Sequence, residues 1–147
     1  TSVIAIDISD EALVIARENA AANNAASIQF LQNDLLTNAA SILPEGRLIF
    51  TMNLPYLSET RMRGLAPEVA LYEPHTALAA GADGLDAYRI AFAQIEALQR
   101  TNLVLLCEID PEQTDGLVVL SHEHFPAATH IAHKDYHGDN RLIEITL

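Results

Sequence analysis

Apolar positions along this chain follow two rhythms. Short continuous runs rich in β-branched residues mark strands buried on both faces, the parallel-sheet kind; apolar residues three and four apart mark helices. Residues 2–8 (SVIAIDI) predict the first strand. Ser9 and Asp10 can cap the helix that follows, Leu13, Ala16 and Ala20 form its stripe, and Asn23-Asn24 ends it. Residues 27–32 (SIQFLQ) predict a second strand, 37–43 a short helix or turn stopped by Pro44, and 46–53 (GRLIFTMN) a third strand. From 54 to about 84 the pattern reads as a loop region with one helix near 59–66. Residues 86–100 predict an amphipathic helix, 102–109 (NLVLLCEI) a fourth buried strand, and Pro111 with Glu112 opens a helix reaching about Phe125. Strands at 128–134 and 141–147 are separated only by DYHGDN, too short for a parallel crossover, so an antiparallel hairpin is expected.

Strands alternating with helices predict an α/β fold, an open and mostly parallel sheet that ends in the hairpin. No internal repeat, low-complexity segment or second domain is visible, so 1–147 reads as one partial domain. Ligands of such sheets bind at the carboxyl ends of the strands. Three polar residues fall there: Asp7, Asp34 and Asn53.

A carboxylate at Asp7 can accept two hydrogen bonds from a ribose diol, and it can equally cap the next helix. Asp34 can accept from the exocyclic amine of a base, or serve as a turn residue. Asn53-Leu54-Pro55-Tyr56 says more. The Asn53 side-chain oxygen and the Leu54 carbonyl are acceptors on consecutive residues. Pro55 restricts Leu54 to an extended conformation, which holds that carbonyl in place. Two such acceptors suit a planar NH₂ group, an amide or a base amino nitrogen, with the Tyr56 ring as a face to rest on. A strand that ends in a Pro turn with a buried Tyr is the plain alternative.

Charge narrows the partners. The 147 residues carry 20 acidic and 8 basic side chains, a net charge of −12, with Lys134 the only lysine. Such a surface disfavours nucleic acid and anionic membranes. No apolar run approaches the roughly 20 residues that cross a bilayer. Cys107, the single cysteine, lies in an apolar run and reads as a small buried residue, which fits a reducing cytoplasm. His122 and His124 do not share a helix face, and His130, His133 and His137 are loosely spaced, so the histidines read as solvated rather than as metal ligands. Glu96 reads as a helix-surface residue and Glu108 as a strand-end residue able to line the cleft.

Six stretches, AIDISDEALVIARENA (5–20), NDLL (33–36), NLPY (53–56), YEPHTALAAGADGLDAYR (72–89), LLCEIDPEQ (105–113) and KDYHGDNRLIEI (134–145), run in one order along the chain. Together they resemble the catalytic domain of the HemK/PrmC-type glutamine-N5 methyltransferases, class I S-adenosylmethionine (SAM) enzymes that methylate a glutamine of peptide-chain release factors. The block from Glu73 through GADGLDAYR is the most specific, since general SAM methyltransferases lack it. The resemblance implies a three-layer Rossmann-like sandwich, SAM as cofactor, a release factor as protein partner, and no metal. It assigns Asp7, Ile8, Asp34, Leu35 and Asn53 to the cofactor and Asn53, Leu54, Pro55 and Tyr56 to catalysis. The family's Gly-rich SAM loop and first strand would precede residue 2, and its N-terminal docking domain would lie further upstream. The chain is therefore expected to be the C-terminal part of a catalytic domain, binding SAM weakly or not at all by itself, with sheet order 3-2-4-5-7-6 in the family's strand numbering. The strands ending at Asp7 and Asn53 should then either pair directly or leave a gap.

The family usually has Pro where this chain has Leu54. Asn-Leu-Pro-Tyr is familiar from rRNA adenine dimethyltransferases, and the acceptor at 54 is a backbone carbonyl that Leu supplies as well as Pro. The expected reaction is methyl transfer to an amide nitrogen, a poor nucleophile until both its N–H groups are held; such positioning is worth up to roughly 7–11 kcal/mol. Two rivals stay open: an adenine-N6 methyltransferase acting on RNA or DNA, and a non-catalytic interaction module that has lost its cofactor loop.

Overall fold

A Ser hydroxyl starts the first helix. In the computed structural model, which describes residues 2–72 and 74–147, strand β1 (Ile4–Asp7) gives way to α1 (Asp10–Ala22) at Ser9, whose side chain accepts the Ala12 N–H at 3.2 Å. Asp10 and Glu11 place negative charge in the first turn, where the helix dipole favours it. Asn24, at φ +57°, ends the helix in the left-handed conformation that Asn tolerates best after Gly. Strand β2 (Gln29–Gln32) then pairs in parallel with β1, Ile4 opposite Gln29 through Asp7 opposite Gln32. A 3-10 turn at Ala39–Ser41 follows. These elements form one compact unit, Thr1–Pro44.

The second unit, Glu45–Leu147, holds a four-stranded sheet in the order β3-β4-β6-β5. Strand β3 (Leu48–Met52) runs parallel to β4 (Leu103–Glu108), while β6 (Asn140–Thr146) lies antiparallel between β4 and β5 (Thr129–Lys134). Both orders are the expected ones within their sheets, and the terminal hairpin is antiparallel. β1 and β3 do not pair. β4 is buried almost throughout, as its apolar run predicts, but β1 is only half-buried and Ile49 on β3 is 60% exposed.

The stretch from 54 to 84 is more ordered than its sequence suggests. It contains α2 (Glu59–Arg63), capped by Ser58 and ended at Gly64, then α3 (Pro67–Tyr72) and α4 (His75–Leu78). One helix is expected there and three are found among the described residues, all of six residues or fewer, too short to show a period. Glu73, the first residue of the most specific block, lies outside the described residues. The helix predicted from Pro111 begins as a 3-10 turn, Pro111–Gln113, and becomes α6 at Thr114–His124.

The core of the second unit is built on α5 (Asp86–Ala97), which packs against α6. Tyr88, Phe92 and Ile95 fall three and four apart, one face of the helix, and are fully buried, with Leu103, Leu105, Cys107, Leu117, Ile143 and Ile145 buried on the neighbouring elements. Burial pushes the Cys107 thiol well above its ordinary value, so it is inert as a nucleophile. His124 and His133 bond to Glu96 and Glu144, at 2.8 and 2.9 Å. No group of three metal-ligating side chains occurs among the described residues, and no described helix is long and apolar enough to cross a membrane.

Candidate functional site

The carboxyl ends of β3 and β4 lie side by side, Met52 opposite Cys107. Asn53 leaves the sheet there as an exposed residue. Among the described residues neither its carboxamide nor the Leu54 carbonyl takes a hydrogen-bond partner. Neither of the two acceptors expected from the sequence is therefore spent on an internal bond among the described residues. Beneath them lies Tyr88 of α5, whose ring is buried completely and whose hydroxyl donates to the Glu108 carbonyl and lies 3.3 Å from that of Met52. Burial pushes the Tyr88 phenol far above its ordinary value, countered in part by the Leu54 backbone N–H, so it stays a hydrogen-bond donor.

The other end of the stretch is held by a carboxamide. Gln113 Nε2 donates to the Tyr56 carbonyl at 2.7 Å and to the Asp83 carbonyl at 3.0 Å, while its Oε1 accepts the Asp110 N–H at 3.0 Å. The Tyr56 hydroxyl donates to Glu108 Oε1 at 3.3 Å. Burial, then the Glu108 carboxylate, keep that phenol above its usual value. Asp110 is buried; one of its oxygens accepts Arg61 Nε and Nη2, at 3.0 and 2.7 Å, and the other the Glu112 N–H. Leu57 extends the pinned segment by bridging to Ala79, its N–H bonded to the Leu78 carbonyl and its own carbonyl to the Ala80 N–H.

The GADG turn closes this arrangement. Gly81 (φ +79°) passes the Asp86 carboxylate so closely that a Cβ would sit 2.0 Å from it. Asp83 accepts from Arg89 Nη1 and Nη2 and from the Leu85 N–H. The Arg89 guanidinium holds the Asp83 carboxyl down to about 2. A carboxyl lowered in the folded state stabilises it fully above the unfolded value of 3.8, and that contribution is lost as pH falls toward 2. Hydrogen exchange at the Leu85 amide should therefore lose protection between these two values, and Arg89→Gln should abolish that pH step.

Tyr56, Arg61, Asp83, Asp110, Gln113 and Gly116 line a cleft of about 400 Å³ beside the stretch. Its walls carry both signs of charge, from Arg61 and from Asp83, Asp110 and Glu112.

In the first unit, Asp7 and Asp34 sit at the carboxyl edge of the β1–β2 pair, both exposed. Asp7 Oδ1 accepts the Ser9 N–H at 2.8 Å, so part of its carboxylate is used in starting α1. Ile8 next to it is 65% exposed. Leu35 adopts φ +49°, with its carbonyl held by Asn33 Nδ2 at 3.1 Å. The predicted residues thus fall into two groups: Asn53, Leu54, Pro55 and Tyr56 in one unit; Asp7, Ile8, Asp34 and Leu35 in the other. Sequence reasoning assigned no part to Tyr88, Gln113, Asp110 or Arg61. The one local signal was Gln113 three residues after Asp110, the spacing of a capping box, which is present.

No family model matches the chain. In sequence it is 44% identical over 110 residues to the release factor glutamine methyltransferase of Cereibacter sphaeroides, a match covering 75% of this chain and 38% of that protein. The chain spans about half the length of the other curated relatives of that name that it matches. Its structure resembles the ribosomal protein L11 methylase of Lactobacillus delbrueckii subsp. bulgaricus, with a TM-score of 0.62 and 19% identity over 99% of this chain and 57% of that one. A Streptococcus mutans protein solved in complex with SAH gives a TM-score of 0.60 at 15% identity, over 98% of this chain and 74% of that one. These likenesses show the Rossmann-like methyltransferase fold.

Proposed function

Because the chain belongs to the release factor glutamine methyltransferase family, we propose that it carries the amide-binding part of a cytoplasmic SAM-dependent N-methyltransferase, acting on a glutamine side chain of a peptide-chain release factor. The observation that carries this reading is the pair of unpartnered acceptors at Asn53 and Leu54, on a segment fixed at both ends. A glutamine NH₂ group offers two hydrogens to such a pair. With both accepted, electron density is drawn onto nitrogen and its free lobe is aimed; no strong base is needed, since the proton can leave afterwards. The Tyr56 ring, tethered through its hydroxyl to Glu108, gives the planar amide a face. Pro55 keeps Leu54 extended, so Leu in place of Pro leaves the second acceptor in use.

The exposed residues of the first unit fit SAM. The Asp7 carboxylate spends only Oδ1 on Ser9 and keeps acceptor capacity for a ribose diol. Ile8 is an exposed apolar side chain for a flat ring, and exposed Asp34 with half-buried Leu35, just past the end of β2, would meet its amine. When bound, SAM would supply a methyl group on a positively charged sulfur for the amide nitrogen, whose proton can leave after the transfer. The Streptococcus mutans neighbour, solved with the demethylated product form, supports the same cofactor.

An adenine amino group would satisfy the same two acceptors, but the net charge of −12 argues against a nucleic-acid substrate. The test offers the natural protein carrying this sequence methyl-labelled SAM with two substrates in parallel, a release factor and an adenine-containing RNA. Label should enter the release factor at a glutamine. Label on the RNA alone would overturn the assignment.

A further inference from the structure

Resting on the reading of residues 53–56 as an amide clamp, we propose that Tyr88 and Gln113 are positioning residues: buried polar side chains from outside the segment that fix its two ends and hold the Asn53 and Leu54 acceptors at their working spacing. Tyr88 takes the entrance. Its hydroxyl lies against the Met52 carbonyl, the residue before Asn53, and is approached by the N–H of Leu54, the residue after it, while donating to Glu108 at the end of β4. Gln113 takes the exit by donating to the Tyr56 carbonyl. Between these two pins Pro55 has its φ locked, so little backbone freedom is left.

Packing alone does not call for either polar group. Phe92, one turn along α5 with its ring 5.8 Å from that of Tyr88, is also fully buried and carries no hydroxyl. A buried hydroxyl is costly unless bonded, and the Tyr88 hydroxyl donates to Glu108 at the end of β4 while facing the Met52 carbonyl and the Leu54 N–H on either side of Asn53. The Gln113 carboxamide likewise spends both its nitrogen bonds on carbonyls of the two turns, Tyr56 and Asp83, with its oxygen on Asp110. The donors of both side chains are spent on these internal partners. Each acts through the spacing of the acceptors, so its loss should appear in turnover rather than in cofactor affinity.

The experiment compares Tyr88→Phe, Gln113→Glu and Asn53→Ala in the natural protein, measuring kcat and KM for the release factor, SAM affinity and Tm. Tyr88→Phe should lower kcat about 10- to 100-fold, the scale of a small misplacement of reacting groups, with SAM affinity within about twofold of wild type. Gln113→Glu should lose a similar amount at neutral pH, where a carboxylate repels the Tyr56 carbonyl instead of donating to it. Relative to wild type, that variant should regain activity as pH falls and the introduced carboxyl takes up a proton and can donate again. A purely packing role predicts no such recovery. If both variants turn over at the wild-type kcat, whatever happens to Tm, while Asn53→Ala is slow, the clamp stands and the positioning role is wrong. If Asn53→Ala is also at wild-type speed, the clamp itself fails.

Discussion

Asn53→Ala in the natural protein is expected to lower kcat by about 10²–10³-fold, roughly 2.7–4 kcal/mol of transition-state stabilisation, with SAM affinity little changed. Asn53 is exposed and its carboxamide takes no hydrogen-bond partner among the described residues, so the substitution breaks no internal bond. Only a partner that arrives with the substrate is lost. Charge builds on the amide N–H groups as the nitrogen is methylated, and an acceptor already in place is worth more at that stage than in the ground state. The loss should therefore fall on kcat more than on KM. Tm should move little, since an exposed side chain without internal partners contributes little to folding. Asn53→Ala with wild-type turnover would leave 53–56 as no more than a turn after β3.

The parts of the fold that local sequence controls are the parts that could be read from it. α1 announces itself through Ser9, the acidic first turn and the asparagines at its end, all acting within a few residues. The β5–β6 hairpin follows from the length of DYHGDN, and β4 from an unbroken apolar run. α3 and α4, six and four residues long, cannot display a helical period; neither can α2, of five residues, whose start is marked instead by Ser58 ahead of the acidic Glu59. The site divides in the same way. Asn53, Leu54, Pro55 and Tyr56 are legible because their chemistry sits in four consecutive residues. Tyr88 and Gln113 are not, since each earns its place through partners 36 and 57 residues away in sequence, which only the folded chain brings near. What the sequence shows as separate blocks, NLPY, GADGLDAYR and LCEIDPEQ, the structure shows as one hydrogen-bonded assembly: the Gln113 carboxamide alone joins all three.

That assembly leaves no room for a side chain at Gly84, and Gly84→Ala should cost about 3–4 kcal/mol. Gly84 adopts φ +77°, and a Cβ built there would lie 2.2 Å from both Gln113 Nε2 and the Tyr56 carbonyl oxygen. The backbone conformation alone costs Ala about 1–2 kcal/mol. The remainder comes from forcing apart a donor and an acceptor that are largely buried, at about 1–3 kcal/mol for a group left unpaired. Neither atom is the free end of a flexible side chain: the carbonyl is backbone, and the carboxamide is held by Asp110 and Asp83 as well. Gly138 supplies the control. It has φ +91°, yet nothing lies within 4 Å of its hypothetical Cβ, so Gly138→Ala should cost only the backbone share. Thermal unfolding of the two variants separates the contributions. At about 2–4 °C per kcal/mol for a chain of this size, Gly84→Ala should lose on the order of 10 °C and Gly138→Ala a few degrees. The Gly84 variant should also lose kcat beyond its loss of folded protein, because the carbonyl it displaces anchors the exit of the 53–56 segment. Equal Tm losses in the two variants would mean that the contact between the GADG turn, Tyr56 and Gln113 is not as tight as the geometry has it.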